Sequence, residues 1–400
     1  MKAVFMGLGY IGLPTAAVAA SKGIEVVGVD TNPVIVNTIN QGKIHIAEPE
    51  LEKVVKDVVE KKQLRASLQP EEADVFLIVV PTPFKQDHRA DITYVRSATK
   101  TVIPFLKEGS LFIIESTSPV MTTEKMTELI FKERPELQGK IYIAYCPERV
   151  LPGNVIYELE NNDRVIGGIN QESSDKAAQF YATFVKGALH KTSARTAEMC
   201  KLTENSSRDV QIAFANELSM ICKKAGINVW ELIELANKHP RVNILQPGCG
   251  VGGHCIAVDP WFIVSDYPEQ ANIIKRARET NDYKADWCAD EVLRACREFE
   301  EKHEREPVVA CMGLAFKPDI DDLRESPAKY ITSRIVSEAR ADVLIVEPNI
   351  QSHKSFSLIH YHEAYQQADI IVWLVCHKEF LEMPKSKGAK IELDFCGIYK

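Results

Sequence analysis

Three short stretches carry residue types that could do chemistry. Gly250-Val251-Gly252-Gly253-His254-Cys255 is a glycine-rich loop ending on a cysteine. A thiol held there could approach a carbonyl carbon closely, as covalent catalysis requires. His254, next to it, is expected to lower the thiol's pKa. Lys201, Asn205 and Arg208 stand at i, i+4 and i+7, so on a helix they share one face. An ammonium and a carboxamide aimed at one point could stabilise an alkoxide or oxyanion. Cys146-Pro147-Glu148-Arg149 and Asp259-Pro260 put carboxylates beside prolines in turns, where either could position a water. Spacing alone leaves plainer readings open: a buried structural cysteine, a solvated helix stripe and ordinary loops. His360 and His362 form an H-x-H without metal-like partners, so no metal site is expected.

Gly7-Leu8-Gly9-Tyr10-Ile11-Gly12 matches G-x-G-x-x-G in the right context. It follows an apolar strand, opens an Ala-rich helix, and precedes Asp30 at the end of the next strand. The first glycine makes the tight turn, the second admits a pyrophosphate, and the third lets helix and strand pack closely. The helix N-terminus offers N–H groups and partial positive charge to phosphates. Asp30 would accept ribose hydroxyls and repel a 2′-phosphate, which favours NAD over NADP. A second glycine turn, Gly313-Leu314-Ala315-Phe316-Lys317-Pro318, has a single glycine and a lysine. It is not expected to bind a dinucleotide; Lys317 there could meet a diphosphate.

The elements that must position these residues follow from periodicity. Residues 1–190 alternate short apolar runs (25–30, 75–80, 111–114) with amphipathic stretches such as 50–61, as in a doubly wound parallel sheet. Residues 191–302 read as helical, with long helices over 195–225 and 271–302. The charged run 300–307 reads as a solvated helix end and linker. From 303 to 400 the α/β pattern returns, with strands expected at 308–312, 343–346, 370–375 and 390–393. The fold class expected is α/β: two Rossmann-like doubly wound domains joined by a helical dimerisation segment.

Composition narrows the class. The chain has 400 residues, 45% of them apolar and 26% charged, as in a soluble globular protein. No apolar run approaches the roughly 18 residues of a membrane span, and a strand at Ala3 leaves no room for a signal peptide. Ten cysteines lack a C-x-x-C pair, which suits reduced thiols in the cytoplasm. A net charge of −8 argues against general nucleic-acid binding but not against a phosphorylated ligand.

Taken together, these motifs resemble the UDP-glucose/GDP-mannose dehydrogenase family over nearly the whole chain. Further matching segments are Pro81-Thr82-Pro83, Glu115-Ser116-Thr117, Cys146 to Gly153, Arg195 to Asn205, His239-Pro240-Arg241-Val242-Asn243, Gly250 to Pro260 and Gly313 to Pro327. The resemblance implies a homodimer of three-domain chains that oxidises a UDP-sugar at C6 to the carboxylate with NAD, through a thioester on Cys255. It sets Gly7, Gly9, Tyr10, Ile11, Gly12, Asp30, Thr82 and Thr117 at the cofactor, and Arg324 at the NAD of its own or a neighbouring subunit. It sets Arg149, Val150, Lys201, Asn205, Arg208, His239, Arg241, Gly252, Phe316 and Lys317 at the substrate. Lys201 and Asn205 would manage charge on the oxygen, and Glu148 or Asp259 would place the hydrolytic water. The 239–243 stretch resembles the N-acetylhexosamine branch, so UDP-N-acetyl-D-mannosamine is the expected substrate, with UDP-N-acetylglucosamine or UDP-glucose as alternatives. Two departures stand out. Cys396 replaces a usual basic residue, which weakens a sugar-nucleotide contact there. Cys249 replaces a usual proline and offers a thiol for an adventitious disulfide with Cys255. A two-electron β-hydroxyacid dehydrogenase would leave Cys255 and the third domain unexplained. A catalytically silent sensor is disfavoured by the intact Cys255, Lys201 and Asn205.

Overall fold

The computed structural model describes residues 1–400 apart from Ala47, Gln86, Leu151, Pro152, His254, Lys387 and Ala389. Two compact units divide the chain, Met1–Glu204 and Asn205–Lys400.

In the first unit β1 (Lys2–Met6), α1 (Gly12–Ser21), β2 (Glu25–Val29), α2 (Pro33–Asn40), α3 (Leu51–Glu60), β3 (Leu64–Ser67) and β4 (Val75–Ile78) come first. Then follow α4 (Thr93–Val102), β5 (Leu111–Ile114), α5 (Thr122–Glu133), β6 (Tyr142–Tyr145), α6 (Val155–Asn161), β7 (Arg164–Gly168), α7 (Gln171–Tyr181) and β8 (Leu189–Ser193). The strands form one sheet in the order β3-β2-β1-β4-β5-β6-β7-β8. Its central strands β4 and β5 are apolar and buried at every position because both faces are covered, while the edge strands β3 and β8 carry polar residues. Along β1, Ala3 and Phe5 enter one core layer while Val4 and Met6 enter the other. The order reverses between β1 and β4, the kind of crevice where open α/β sheets bind ligands. The expected parallel sheet departs from pattern at one edge: β7 runs antiparallel to β6, and β8 follows β7.

Helix α8 (Ala194–Ala225) starts directly after β8 and runs through the boundary between the units. In the second unit it is followed by α9 (Val229–Ala236), α10 (Asp259–Asp266) and α11 (Asn272–His303). The rest is β9 (Val308–Met312), α12 (Pro327–Glu338), β10 (Asp342–Val346), α13 (Tyr361–Gln367), β11 (Ile370–Trp373), α14 (Lys378–Leu381) and β12 (Ile391–Asp394). These four strands are all parallel, in the order β10-β9-β11-β12. One face packs on α11 and α12 through Cys288, Val292, Ile331 and Ile335. The other packs on α13 and α14 through Ala364 and Phe380. Among the described residues no helix is long and apolar enough to cross a membrane.

Candidate active site

The glycine turn after β1 is shaped for a close ligand. A Cβ on Gly12 would lie 2.0 Å from the Gly7 carbonyl oxygen, so only glycine lets α1 start against that turn. A Cβ on Gly9 would meet nothing within 4 Å, which leaves the backbone open on the side a pyrophosphate would approach. Ile11 is the N-cap of α1 and provides no side-chain cap, so the helix end keeps its attraction for an anion. Asp30 directly follows β2, and its carboxylate accepts from the Leu8 N–H at 3.2 Å and the Asn32 N–H at 2.9 Å. Tyr10 is half exposed beside the turn. The Thr82 hydroxyl donates to the Thr117 carbonyl at 2.5 Å, which ties the loops leaving β4 and β5 together. Ser116, part of the matching Glu115-Ser116-Thr117 segment but given no role there, accepts from the Val80 N–H at 2.9 Å and fixes the same pair of loops. This cradle fits a dinucleotide.

The loop after β6 holds Glu148, Arg149 and Val150. Glu148 is buried; its Oε1 accepts from the Arg149 N–H at 2.6 Å and its Oε2 from Arg164 Nη2 at 2.7 Å. Arg149 pairs with Glu204 at 2.8 Å and donates to the Asp163 carbonyl at 3.2 Å, so it reaches a substrate only by exchanging these partners. Lys201 lies half-buried on α8, one turn from Asn205. Glu198, on the same helix, accepts from the N–H groups of Met121 and Thr123 at the start of α5. Burial pushes its carboxyl up to about 7 against those donors. It anchors α8 to the segment just past Thr117.

In the second unit the glycine loop runs tightly against residues 316–327. A Cβ on Gly252 would lie 2.6 Å from both the Glu325 carbonyl oxygen and the Phe316 Cβ, so packing demands glycine there. The Gly253 N–H donates to the Arg324 carbonyl at 3.0 Å. Cys255 is exposed, and its carbonyl accepts from the Val258 and Asp259 N–H groups, at 3.1 and 2.8 Å. Asp259 is the first residue of α10 rather than part of an open turn. Its Oδ2 accepts from Asn205 Nδ2 at 2.5 Å. Asn205, Asp259 and Cys255 therefore form one connected group. Buried asparagines that sequence reading passed over support it: Asn216 accepts from the Gly248 N–H at 2.8 Å and donates to Asn281 at 2.8 Å. On a long helix such residues read as a solvated stripe, so nothing in the sequence singles them out. His254 lies outside the described residues.

Cys249 faces the core, where its thiol donates to the Leu374 carbonyl at 3.3 Å and neighbours Cys288. That orientation gives no support to a disulfide with the exposed Cys255. None of the ten cysteines is in a disulfide.

The other expected substrate residues of this unit are on its surface. His239 and Arg241 form an exposed turn in which the Arg241 N–H donates to His239 Nδ1 at 3.3 Å. Asn237 clamps that turn, donating to the Ile244 carbonyl and accepting from its N–H. Arg208 and Lys317 are exposed, and Phe316 is half-buried against Gly253. The Arg324 guanidinium is folded onto Asp322, 2.6 Å away. One group among the described residues, Asp319, His377 and Glu379, has ligand atoms close enough for a metal. Both His377 nitrogens are already engaged, Nδ1 by the Asp319 N–H and Nε2 by Glu347.

Comparison with known proteins matches three models of one family. They are the NAD binding domain of the UDP-glucose/GDP-mannose dehydrogenase family over residues 1–185, its central domain over 195–283 and its UDP binding domain over 310–400. The UDP-N-acetyl-D-mannosamine dehydrogenase of Escherichia coli (strain K12) is 56% identical over 94% of this chain and 93% of its own. An NDP-N-acetyl-D-galactosaminuronic acid dehydrogenase of Ralstonia nicotianae is 51% identical over 98% of this chain and 95% of its own. The solved structure of the UDP-D-ManNAc dehydrogenase of Pyrococcus horikoshii aligns with a TM-score of 0.89 at 38% identity, covering 100% of this chain and 96% of that one.

Proposed function

Because the chain belongs to the UDP-glucose/GDP-mannose dehydrogenase family, we propose that it oxidises UDP-N-acetyl-D-mannosamine twice at C6, to the uronate, with Cys255 as covalent carrier. The observation that carries this is the exposed thiol of Cys255 in a turn linked to Asp259 and through it to Asn205. A two-electron dehydrogenase has no use for such a nucleophile. NAD, when bound, accepts a hydride from C6 at each oxidation.

The chain's residues do the rest. The Lys201 ammonium, aided by the Asn205 carboxamide, stabilises the charge on the C6 oxygen as the hydroxyl proton leaves to water. The Cys255 thiolate adds to the aldehyde carbon and gives a thiohemiacetal, whose oxidation leaves a thioester. Glu148 accepts a proton from the water that cleaves it. Asp259, whose carboxylate already receives Asn205, belongs with the oxygen-handling group instead. Lys317 and Arg208 bind the diphosphate. We infer further that the enzyme works as a cytoplasmic homodimer. Phe214 and Ile221 of α8, one heptad apart, are 53% and 54% exposed, as an unpartnered helix face would be.

Two of the similar proteins bear names with N-acetylated sugars of different stereochemistry, so the epimer needs a direct test. An acetamide carbonyl offers an acceptor to Arg241 or His239. Once a bound sugar shields that donor from water, leaving it unpaired costs roughly 1–3 kcal/mol, about ten- to a hundredfold in selectivity. The test compares kcat/KM for the UDP derivatives of N-acetylmannosamine, N-acetylglucosamine, N-acetylgalactosamine and glucose, with Arg241→Ala alongside the wild type. The mannosamine derivative should lead and glucose should trail. A best rate with UDP-glucose, or an Arg241→Ala enzyme with unchanged ranking and rates, would overturn the assignment.

A further inference from the structure

The antiparallel run of β7 puts a charged residue where a parallel continuation would not. Tyr145 of β6 pairs with Gly167, and Ala144 with Gly168. Continued past the ladder, that register brings Arg164, the first residue of β7, level with Glu148. Arg164 thus enters the sheet at the carboxyl edge of β5 and β6, the edge where open α/β sheets hold their ligands. It is only 3% exposed. Its Nη2 donates to Glu148 Oε2 at 2.7 Å, and Nη1 lies 3.7 Å from Glu115 Oε1. The guanidinium carbon is 4.9 Å from the centre of the Tyr181 ring, whose hydroxyl donates to Glu115 at 2.5 Å.

Two buried carboxyls face one guanidinium, so the cluster is neutral only when one of them is protonated. Burial, against the pull of Arg164, pushes Glu115 up to about 7. The closer of the two contacts to the guanidinium is that of Glu148, 2.7 Å against 3.7 Å for Glu115. The other Glu148 oxygen is fixed by the Arg149 N–H. Each oxygen has its own donor, so the carboxylate cannot turn without losing one. A buried ionised carboxylate stripped of its cation would be strongly disfavoured.

We propose that Arg164 is a positioning residue for the hydrolytic half of the reaction: its guanidinium orients the Glu148 carboxylate that takes the proton from the attacking water. This rests on the reading of Glu148 given above. In that step the water oxygen bonds to the acyl carbon and one water proton passes to Glu148. The C–S bond breaks, its electron pair returns to Cys255 as thiolate, and the acid gives its remaining water proton to solvent as the uronate is released. Arg164 acts through Glu148, and its loss should stall the thioester rather than weaken binding.

The experiment mixes enzyme with NAD and UDP-N-acetylmannosamine, quenches in acid and reads the intact mass. Glu148→Gln and Arg164→Met should both release a burst of two NADH per subunit, then slow at least tenfold, with the acyl adduct filling Cys255. KM values for both substrates should not rise, since slowed deacylation lowers KM along with kcat, and Arg164→Lys, which keeps the charge but not the fork, should carry less adduct than Arg164→Met. If Glu148→Gln hydrolyses its thioester normally, the reading of Glu148 falls and the role of Arg164 with it. If Glu148→Gln accumulates adduct and a folded Arg164→Met does not, the positioning role alone is overturned. Should Arg164→Met fail to fold, Arg164→Gln combined with Glu115→Gln keeps polar side chains at both buried positions and is read in the same way.

Discussion

Glu347 stands in the second sheet where Asp30 stands in the first. Each follows the second strand of its sheet, and each accepts from the N–H of the residue after the turn glycine. The distances are 3.2 Å from Leu8 to Asp30 and 2.7 Å from Leu314 to Glu347. The turns match as well: Gly7 donates to the Val29 carbonyl at 2.8 Å and Gly313 to that of Val346 at 2.9 Å. The difference lies in what remains for a ligand. Asp30 is part exposed, with lone pairs to offer a ribose. Glu347 is buried, and it also accepts from Ala315, His377 and Asn349. It fills the turn that a dinucleotide would need, which is a physical reason for NAD to bind only the first sheet.

Glu347 is accordingly a stability residue with a pH signature. Burial raises its pKa, but the hydrogen bonds from His377 and the Leu314 and Asn349 N–H groups outweigh that and hold it at about 2. A depressed carboxyl contributes stability that is present above its unfolded value and lost as pH falls toward the folded one. Glu347→Gln should therefore cost on the order of 2–3 kcal/mol at about pH 7, and the deficit should shrink below about pH 4.5. Urea unfolding of both proteins at neutral pH and near pH 3 measures this; an equal deficit at both values would contradict it.

Asp30 should set the cofactor preference. A 2′-phosphate facing its carboxylate is penalised by roughly 1–3 kcal/mol, so NAD should be preferred over NADP by well over tenfold in kcat/KM. Asp30→Asn keeps an acceptor for the Leu8 N–H while removing the charge, and it should narrow the ratio without unfolding the turn. Comparable kcat/KM for the two cofactors in the wild type would refute the role.

Wild-type enzyme should form two NADH for each uronate released. Cys255→Ala should form no uronate, while a trace of aldehyde is compatible with the first oxidation alone. Product analysis by chromatography against NADH absorbance gives the ratio, and a normal uronate yield from the variant would rule out the covalent route.

The short Asn205–Asp259 hydrogen bond should matter to rate more than to binding. Asn205→Ala removes an oxyanion donor and leaves Asp259 without it, so kcat should fall by about a hundredfold or more, with KM for the UDP-sugar changed far less. A change confined to KM would place Asn205 in ground-state binding instead.

The apolar face of α8 should hold two chains together. The wild type should sediment as a dimer at micromolar concentration, and Phe214→Asp with Ile221→Asp should shift it toward monomer. A fully active wild-type monomer would contradict the dimer.

Period and composition were enough to determine several things here. The strand at 111–114 and the helices at 195–225 and 271–302 are found within a residue or so of the expected bounds. Buried parallel strands must be apolar throughout, and long helices must keep their breakers at the ends, so both leave strong local signals. The glycine turn before α1, Asp30 directly after β2 and the loop ending on Cys255 were legible for the same reason: each is a backbone requirement written in consecutive residues. What tertiary structure alone decided involves residues far apart in sequence. The reversal of β7 depends on pairing with β6, and no local pattern of Arg164-Val165-Ile166-Gly167-Gly168 distinguishes one strand direction from the other. The grouping of Arg164, Glu148, Glu115 and Tyr181 follows from that reversal, because charged residues separated by tens of positions meet only when the sheet closes around them. The occupation of the second glycine turn by Glu347 is of the same kind. A glutamate after an apolar strand suits solvent, a ribose or a backbone N–H equally well, and only the packing of His377 and Asn349 around it selects among the three.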